Sequence, residues 1–113
     1  MSKQELDLQK IEGFDWDQGN IDKNWKKHEV YYKEVEEVFQ NFPRVLLTDE
    51  KHSVIEKRLI IWGKTDRGRR LTIAFTIRNK KFRIVSARDM NKKERREYEK
   101  KTKFFISNRE GNC

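Results

Sequence analysis

Residues 70–88 read RLTIAFTIRNKKFRIVSAR, and this stretch decides the fold. Apolar and polar side chains alternate along 70–78 and again along 81–88, which is the period of a strand that buries one face. The pair Asn79-Lys80 between them suits the tight loop of a β-hairpin. The sequence therefore predicts two antiparallel strands, with the aliphatic side chains of the first strand in the core.

Two helices are predicted before these strands. A helix over 17–28 can be capped by Asp17, and its apolar spacing indicates that it buries Trp25. A second helix over 32–41 carries apolar residues at helical spacing as far as Phe42, and a proline follows directly. Both helices are expected to cover the apolar face of the sheet.

Two further strands and a third helix complete the predicted elements. Residues 44–48 and 57–62 are predicted strands, so the sheet has three or four antiparallel strands. Asn91 and Glu94 have the spacing of a capping box, which starts a C-terminal helix that ends near Phe105. The predicted fold class is α+β, with two N-terminal helices, an antiparallel sheet and a C-terminal helix.

The composition supports one small domain. The chain has 113 residues, of which 41% are charged and 35% hydrophobic, which is enough for a single core. We expect a flexible N-terminal arm over 1–12, the domain over 13–105 and a frayed tail over 106–113. No apolar run is long enough to span a membrane, the first residues are charged, and Cys113 is the single cysteine, so a cytoplasmic location is expected.

Positive charge is concentrated in one segment. The formal net charge is +8, and residues 78–103 alone contain twelve cations against four anions, so the rest of the chain is neutral. Such asymmetry favours binding to a phosphate backbone or to an acidic protein. The alternative is a solvated basic helix that binds nothing.

Strict alternation along the strands predicts a second, open face of the sheet. That face would collect Arg58, Arg78 and Arg83 together with Trp62, and in the last strand it would also carry Ala87. A shallow basic surface with an aromatic side chain suits single-stranded RNA, which binds through phosphate contacts and base stacking. The alternative is that these arginines are ordinary solvent-facing positions.

The residue content excludes several kinds of chemistry. The two histidines are 24 residues apart and there is one cysteine, so no metal site is predicted, and no glycine-rich phosphate loop occurs. RNA cleavage through the 2′-hydroxyl needs only a base, an acid and cations that stabilise the phosphorane charge. The lysines, arginines and histidines present are sufficient for that reaction, and no cofactor is expected.

Several short motifs, in order, resemble those of the BrnT family of toxins over about Phe14 to Tyr98. The matching residues are Phe14-x-Trp16-Asp17, Asn24-x-x-Lys27-His28-x-Val30, Val38-Phe39, Asp49-x-x-His52-Ser53-x-x-Glu56-x-Arg58, Gly63, Arg83-Ile84-Val85-Ser86-Ala87-Arg88, Glu94-Arg95 and Tyr98. The chain departs from the family pattern at Asn20, where lysine is usual, and at Glu29, where glycine is usual.

The resemblance implies a RelE-like fold and a type II toxin, which is a ribonuclease that cuts cellular RNA and inhibits translation. It also implies neutralisation by a BrnA-type antitoxin in a heterotetramer, in which the antitoxin contributes the operator-DNA-binding part. The alternatives are a basic nucleic-acid-binding module without catalysis and a degenerate toxin.

The candidate residues follow from the basic face and the resemblance together. For a metal-independent endoribonuclease, the predicted catalytic residues are Lys27, His28, Arg58 and Arg83. The predicted RNA-binding residues are Arg78, Arg88, Trp62 and Lys81. Glu56 is expected to orient Arg58, with a role as general base as the alternative. Tyr98 is expected either to orient substrate by stacking on a base or to dock the last helix onto the sheet. Arg88 can instead pair with Glu94 or Asp89.

Two further expectations concern a histidine and the partner. His52 lies in a loop, where a structural role through turn hydrogen bonds and a functional role are both open. We expect an acidic antitoxin segment to lie across Arg58 and Arg83 or against the last helix, with an apolar anchor beside Trp62. The association rate should then fall steeply with salt.

Overall fold

The computed structural model describes residues 10–53 and 55–111. Its elements in chain order are α1 (Gln18–His28), α2 (Tyr32–Gln40), β1 (Val45–Thr48), a 3-10 turn (Glu50–His52), β2 (Leu59–Lys64), β3 (Arg70–Arg78), β4 (Lys81–Asp89) and α3 (Lys92–Gly111). The four strands form one antiparallel sheet in the order β1-β2-β3-β4. The predicted α+β class is confirmed.

The hairpin that joins β3 to β4 is the one predicted from residues 70–88. Asn79 and Lys80 form its loop with φ angles of 52° and 63°, as the twist of a two-residue hairpin requires. One face of β3 is fully buried by Leu71, Ile73 and Phe75. The main core therefore lies on this face, where α2 adds Val35, Val38 and Phe39.

The end of α2 corrects one expectation. The helix stops at Gln40, and the Phe42-Pro43 segment that follows turns away from it. Phe42 is 59% exposed, so it does not extend the apolar stripe of the helix. The helical spacing that placed Phe42 on this stripe is therefore not realised, because the proline ends the helix before the stripe reaches it.

A β-bulge in β4 changes which residues face the core. Ala74 pairs with Ser86 and Phe75 pairs with Ile84, so Val85 is the extra residue of the bulge. Side chains beyond a bulge change face relative to strict alternation. Ala87 therefore lies in the core and Ser86 on the opposite face, which is the reverse of the prediction.

Helix α1 packs along the free edge of β4. Asn20 Nδ2 donates to the Ile84 carbonyl (2.9 Å), Lys23 Nζ donates to the Val85 carbonyl (3.1 Å), and Asn24 Oδ1 accepts from the Ala87 N–H (3.3 Å). The helix therefore satisfies backbone groups that the edge strand and its bulge leave unpaired.

Two sequence-based expectations about α1 have opposite outcomes. Asp17 is its N-cap and accepts a hydrogen bond from the Asn20 N–H (2.8 Å), as predicted. Trp25, however, is 53% exposed. Its burial was predicted from helical periodicity, but α1 uses its polar side chains against the strand edge.

Helix α3 covers part of the second face of the sheet. Its capping box is confirmed, because Asn91 and Glu94 exchange side-chain-to-backbone hydrogen bonds of 2.8 and 2.9 Å. Tyr98 is buried, and its hydroxyl donates to the Pro43 carbonyl (2.6 Å). Trp62 and Met90 pack with Tyr98 in a second apolar cluster. Of the two roles expected for Tyr98, the structure shows the docking of the last helix onto the sheet.

Both ends of the chain are described only in part. Residues 1–9 of the predicted arm and 112–113 of the predicted tail lie outside the described residues. The described N-terminal segment pairs with β4, since the Phe82 N–H donates to the Gly13 carbonyl (2.9 Å). Helix α3 does not end near Phe105 but continues to Gly111.

Candidate functional site

A row of three side chains crosses the part of the second face that α3 leaves uncovered. Thr76 in β3 pairs with Arg83 in β4, and the β2–β3 register brings Arg58 opposite Thr76 on the other side. Residues opposite one another across antiparallel strands share a face. Arg58 and Arg83, both predicted catalytic residues, therefore flank one central threonine.

Two buried polar atoms in this row lack a partner. Arg58 Nε and Thr76 Oγ1 are buried without a hydrogen bond to any described group, and Thr76 is only 6% exposed. Buried polar atoms are nearly always paired, so an unpaired donor calls for an explanation. Both residues line the same cavity, so a small movement of either side chain would bring its donor to an acceptor bound there.

The cavity is shallow and holds about 420 Å³. Its lining residues are Lys51, His52, Ile55, Glu56, Arg58 and Thr76. The loop between β1 and β2 forms its rim, where Ile55 is 99% exposed. An open depression with cations, an imidazole and an exposed aliphatic side chain can take a polyanion that also presents an apolar surface.

His52 is held in a defined orientation by Asp49. Its Nδ1 lies 3.1 and 3.0 Å from the two carboxylate oxygens of Asp49. Because a carboxylate accepts, Nδ1 is the donor, and in the neutral tautomer this leaves Nε2 as the acceptor. His52 is 57% exposed at its side chain and lines the cavity.

Backbone and side-chain hydrogen bonds fix the loop that carries His52. Ser53 Oγ donates to the Asp49 carbonyl (2.6 Å), and it accepts from the Arg58 N–H (2.9 Å). The Asp49 N–H donates to the Arg58 carbonyl (2.9 Å). One serine thus connects the histidine turn to the arginine of the central row, which keeps His52 and Arg58 at one site.

Arg83 is only loosely paired. Its nearest carboxylates are Asp15 at 3.5 Å and Asp17 at 4.0 Å, longer than the roughly 2.7 to 2.9 Å of a strong charged hydrogen bond. The side chain is 37% exposed. Arg83 is therefore free to turn toward an anion in the central row.

Glu56 binds Arg78 and not Arg58, which corrects the predicted pairing. Its two carboxylate oxygens accept from Arg78 Nη2 (2.7 Å) and Nε (2.8 Å). The hydrogen bond from Arg78 is the main cause that lowers the pKa of Glu56. Glu56 is thus a poor general base at neutral pH, and Arg78 is occupied.

The remaining predicted RNA-binding residues lie in different environments. Arg88 makes a bidentate pair with Glu94 (2.8 and 2.9 Å), which fixes the start of α3. Lys81 is exposed opposite Arg78 at the hairpin end. Trp62 is 9% exposed beneath α3, so the expectation that it stacks on a base was wrong.

Lys27 and His28 do not join this cavity. The N-cap of α1, Asp17, lies beside Arg83, whereas Lys27 and His28 lie at the other end of the helix. Eleven helical residues span about 16 Å. The four predicted catalytic residues therefore form two separate groups, with Arg58 and Arg83 in one of them.

Two residues of the cavity have weak signals in the sequence. Thr76 lies among the small polar residues of its strand, and nothing local distinguishes it. Lys51 is adjacent to His52, so the motif around that histidine could have indicated it. Within the described ranges, no group of three or more histidine, cysteine or acidic side chains could hold a metal ion.

Comparison with known protein families places the chain in one of them. A family model described as the ribonuclease toxin, BrnT, of a type II toxin-antitoxin system matches residues 16–94. The matched range contains the whole cavity. No curated protein matches the chain. In the described part of the chain, none of the helices has the length and apolar character to cross a membrane.

The matched model covers well over half of the chain, so it defines the class. The protein is a ribonuclease toxin of a type II toxin-antitoxin system, a class that implies an antitoxin as partner. Within that class, the chain belongs to the BrnT family.

Proposed function

We propose that the protein is a metal-independent endoribonuclease that cuts single-stranded cellular RNA at the cavity of Arg58, Thr76 and His52. The observation that carries the proposal is the pair of buried, unpartnered atoms, Arg58 Nε and Thr76 Oγ1. Both can donate to one phosphate oxygen, and Arg83 lies on the other side of Thr76. Three donors around one position suit the extra negative charge of a phosphorane.

His52 is the proposed general base, in place of Lys27 and His28. Its Nε2 accepts the proton of the RNA 2′-hydroxyl, the 2′-oxygen bonds to phosphorus, and the bond from phosphorus to the 5′-oxygen breaks. The departing 5′-oxygen takes a proton from Lys51, which lines the same cavity. The products are a 2′,3′-cyclic phosphate and a 5′-hydroxyl, so neither a metal ion nor a cofactor is consumed.

The two departures from the family pattern support an intact toxin over a degenerate one. Asn20 has a structural role on β4, through the Ile84 carbonyl. Glu29 follows α1 with φ 54° and ψ 39°, a left-handed conformation in which the usual glycine is favoured. Neither residue lines the cavity, so neither substitution removes a proposed catalytic group.

The cellular role follows from the reaction. Cleavage of cytoplasmic RNA inhibits translation, and a BrnA-type antitoxin neutralises the toxin in a heterotetramer that binds operator DNA through the antitoxin. A basic RNA-binding module without catalysis is the competing function. It would bind RNA as the toxin does, and it would leave the strand uncut.

The test is cleavage of single-stranded RNA by the purified protein in EDTA. We expect cyclic phosphate products, no cleavage when the 2′-hydroxyl at the cut site is replaced by hydrogen, and at least a 100-fold slower reaction for His52→Gln. His28→Gln is the matched variant and should cleave at the wild-type rate. If His28→Gln lost activity and His52→Gln did not, the general base would be His28 in α1. Binding without cleavage, or a need for added metal, would refute the proposal.

A further inference from the structure

Of the two edge strands of the sheet, β4 is covered by other parts of the described chain and β1 is not. The edge of β4 is covered by α1 and by the segment around Gly13 and Asp15, which pairs with Phe82. The edge of β1 has no such cover among the described residues. Unpaired strand edges promote association, and proteins usually protect them. The protected edge of β4 makes the unprotected edge of β1 a candidate binding surface.

The backbone groups that β1 offers can be identified from its register. The Asp49 N–H points to β2, because it donates to Arg58, and the β1–β2 register continues from this pair. Antiparallel strands alternate inward and outward backbone groups. Val45 and Leu47 therefore pair with β2, whereas Leu46 and Thr48 direct their N–H and carbonyl groups outward.

The β1 edge connects two features of the surface. At its Val45 end lies exposed Phe42, with the guanidinium of Arg44 stacked 4.4 Å from the ring centroid. Phe42 lines a second shallow cavity of about 420 Å³. At its other end the chain passes directly into the loop that carries Lys51 and His52. Four strand residues span about 13 Å, a distance that one short extended peptide can bridge.

The charge around this edge selects an acidic partner. Helix α3 packs on β1 through the apolar cluster that contains Tyr98, against which Val45 and Leu47 pack. Its residues 92–103 contain seven cations and three anions, and the cations are exposed. Lys51 adds a further charge at the end of the edge. A peptide laid along β1 thus lies between positive groups on α3 and in the loop.

We propose that an extended acidic segment of the antitoxin adds to the sheet as a fifth strand along β1. Its backbone pairs with Leu46 and Thr48, an apolar side chain packs on Phe42, and its acidic end reaches Lys51 and Arg58. Strand addition takes its affinity from backbone hydrogen bonds and its specificity from alternate side chains. The anchor is Phe42 and not Trp62, because Trp62 is buried. The acidic end of the segment would block the cavity, and the functional meaning of this block rests on the proposed nuclease site. The strand pairing along β1 does not depend on that proposal.

The decisive measurement is residue-resolved amide exchange of the full toxin, free and in complex with the full-length antitoxin of its operon. The N–H groups of Leu46 and Thr48 should exchange at least about tenfold more slowly in the complex. Leu47 is the internal control, since its N–H is paired with β2 in both states. Unchanged exchange at Leu46 and Thr48 would overturn the proposal.

A pair of variants tests the same contact through affinity. Thr48→Pro removes one outward N–H at an exposed edge position, and Thr48→Val changes the side chain but keeps that N–H. We expect dissociation from the antitoxin to be about tenfold faster for Thr48→Pro and within about twofold of wild type for Thr48→Val. Equal effects would contradict strand pairing. If Thr48→Pro does not melt like wild type, the exchange measurement decides.

The outcome can be separated from that of the nuclease proposal. RNA cleavage is measured on the free wild-type protein, and antitoxin pairing is measured on the amides of β1. A protein that fails to cut RNA but protects Leu46 and Thr48 would refute the nuclease site and support the docking edge. Cleavage without that protection would support the nuclease site and refute the docking edge.

Discussion

Replacing Thr76 by valine should raise the free energy of unfolding and at the same time slow RNA cleavage. Thr76 is 6% exposed, and its Oγ1 has no partner among the described groups. A buried hydroxyl without a hydrogen bond costs about 1 to 3 kcal/mol, and valine has the same shape without that group. Because the cavity is open on one side, we expect the lower limit, a gain of about 1 kcal/mol in the free energy of unfolding.

This gain can be measured by calorimetry. An unfolding entropy of roughly 2.1 cal/mol/K per residue gives about 0.24 kcal/mol/K for a chain of this size, so Thr76→Val should melt about 4 °C higher than wild type. RNA cleavage should fall about ten- to 100-fold, because the hydroxyl no longer donates to the charged transition state. Single-turnover cleavage at saturating protein gives this rate.

Thr65→Val is the matched control. Thr65 is 4% exposed, but its Oγ1 accepts a hydrogen bond from the Arg69 N–H (3.1 Å). The same substitution there should destabilise the protein by about 1 to 2 kcal/mol and leave cleavage unchanged. If Thr76→Val were destabilised as Thr65→Val is, its hydroxyl would have a partner in the free protein. Stabilisation with undiminished cleavage would refute its contact with substrate.

Three further predictions concern stability. Glu29→Gly should raise the free energy of unfolding by about 0.5 to 1 kcal/mol, because glycine adopts the observed φ of 54° without strain; an unchanged denaturant midpoint would contradict this. Gly63→Ala should lower it by about 1 to 3 kcal/mol, since the added Cβ would lie 2.8 Å from Val38 Cγ1; a wild-type melting temperature would show that Val38 moves aside. Burial is the largest influence on Glu94 and raises its pKa, but the hydrogen bonds from Arg88, the Asn91 backbone and a threonine hydroxyl outweigh it, and the net pKa is lowered. A carboxylate with a lowered folded pKa stabilises fully above its unfolded pKa and loses that effect as pH falls through the folded pKa. The free energy of unfolding of wild type should therefore exceed that of Glu94→Gln by about 1 to 2 kcal/mol at pH 7, and the difference should shrink as pH falls below about 4.3, the ordinary pKa of glutamate in an unfolded chain; a difference independent of pH would contradict it.

Much of the site could not be predicted because it depends on distant contacts. The sequence placed Arg58 and Arg83 on one face, and the structure brings both beside Thr76. The sequence-based prediction also placed Lys27 and His28 in the same site as these two arginines. That grouping could not be checked from the sequence, because a motif does not show which end of a helix lies near a strand. The pairing of His52 with Asp49, three residues away, was local and could be read as a turn.

The sequence by itself determined the elements whose signals are local. The period of two along residues 70–78, the Asn79-Lys80 loop, the Asp17 cap and the capping box at Asn91 each depend on neighbours within a few residues. Backbone geometry and short-range hydrogen bonds set these features, so they can be recognised without knowledge of the rest of the fold.

Only the tertiary structure decided which surfaces are buried. The bulge at Val85 moved Ala87 into the core, the polar contacts of α1 with the β4 edge left Trp25 exposed, and α3 covered Trp62. Each outcome depends on residues far apart in sequence, and periodicity cannot distinguish an apolar side chain in the core from one that faces solvent. The candidate site is the part of the second face that α3 leaves uncovered, so packing and not pattern determines where it lies.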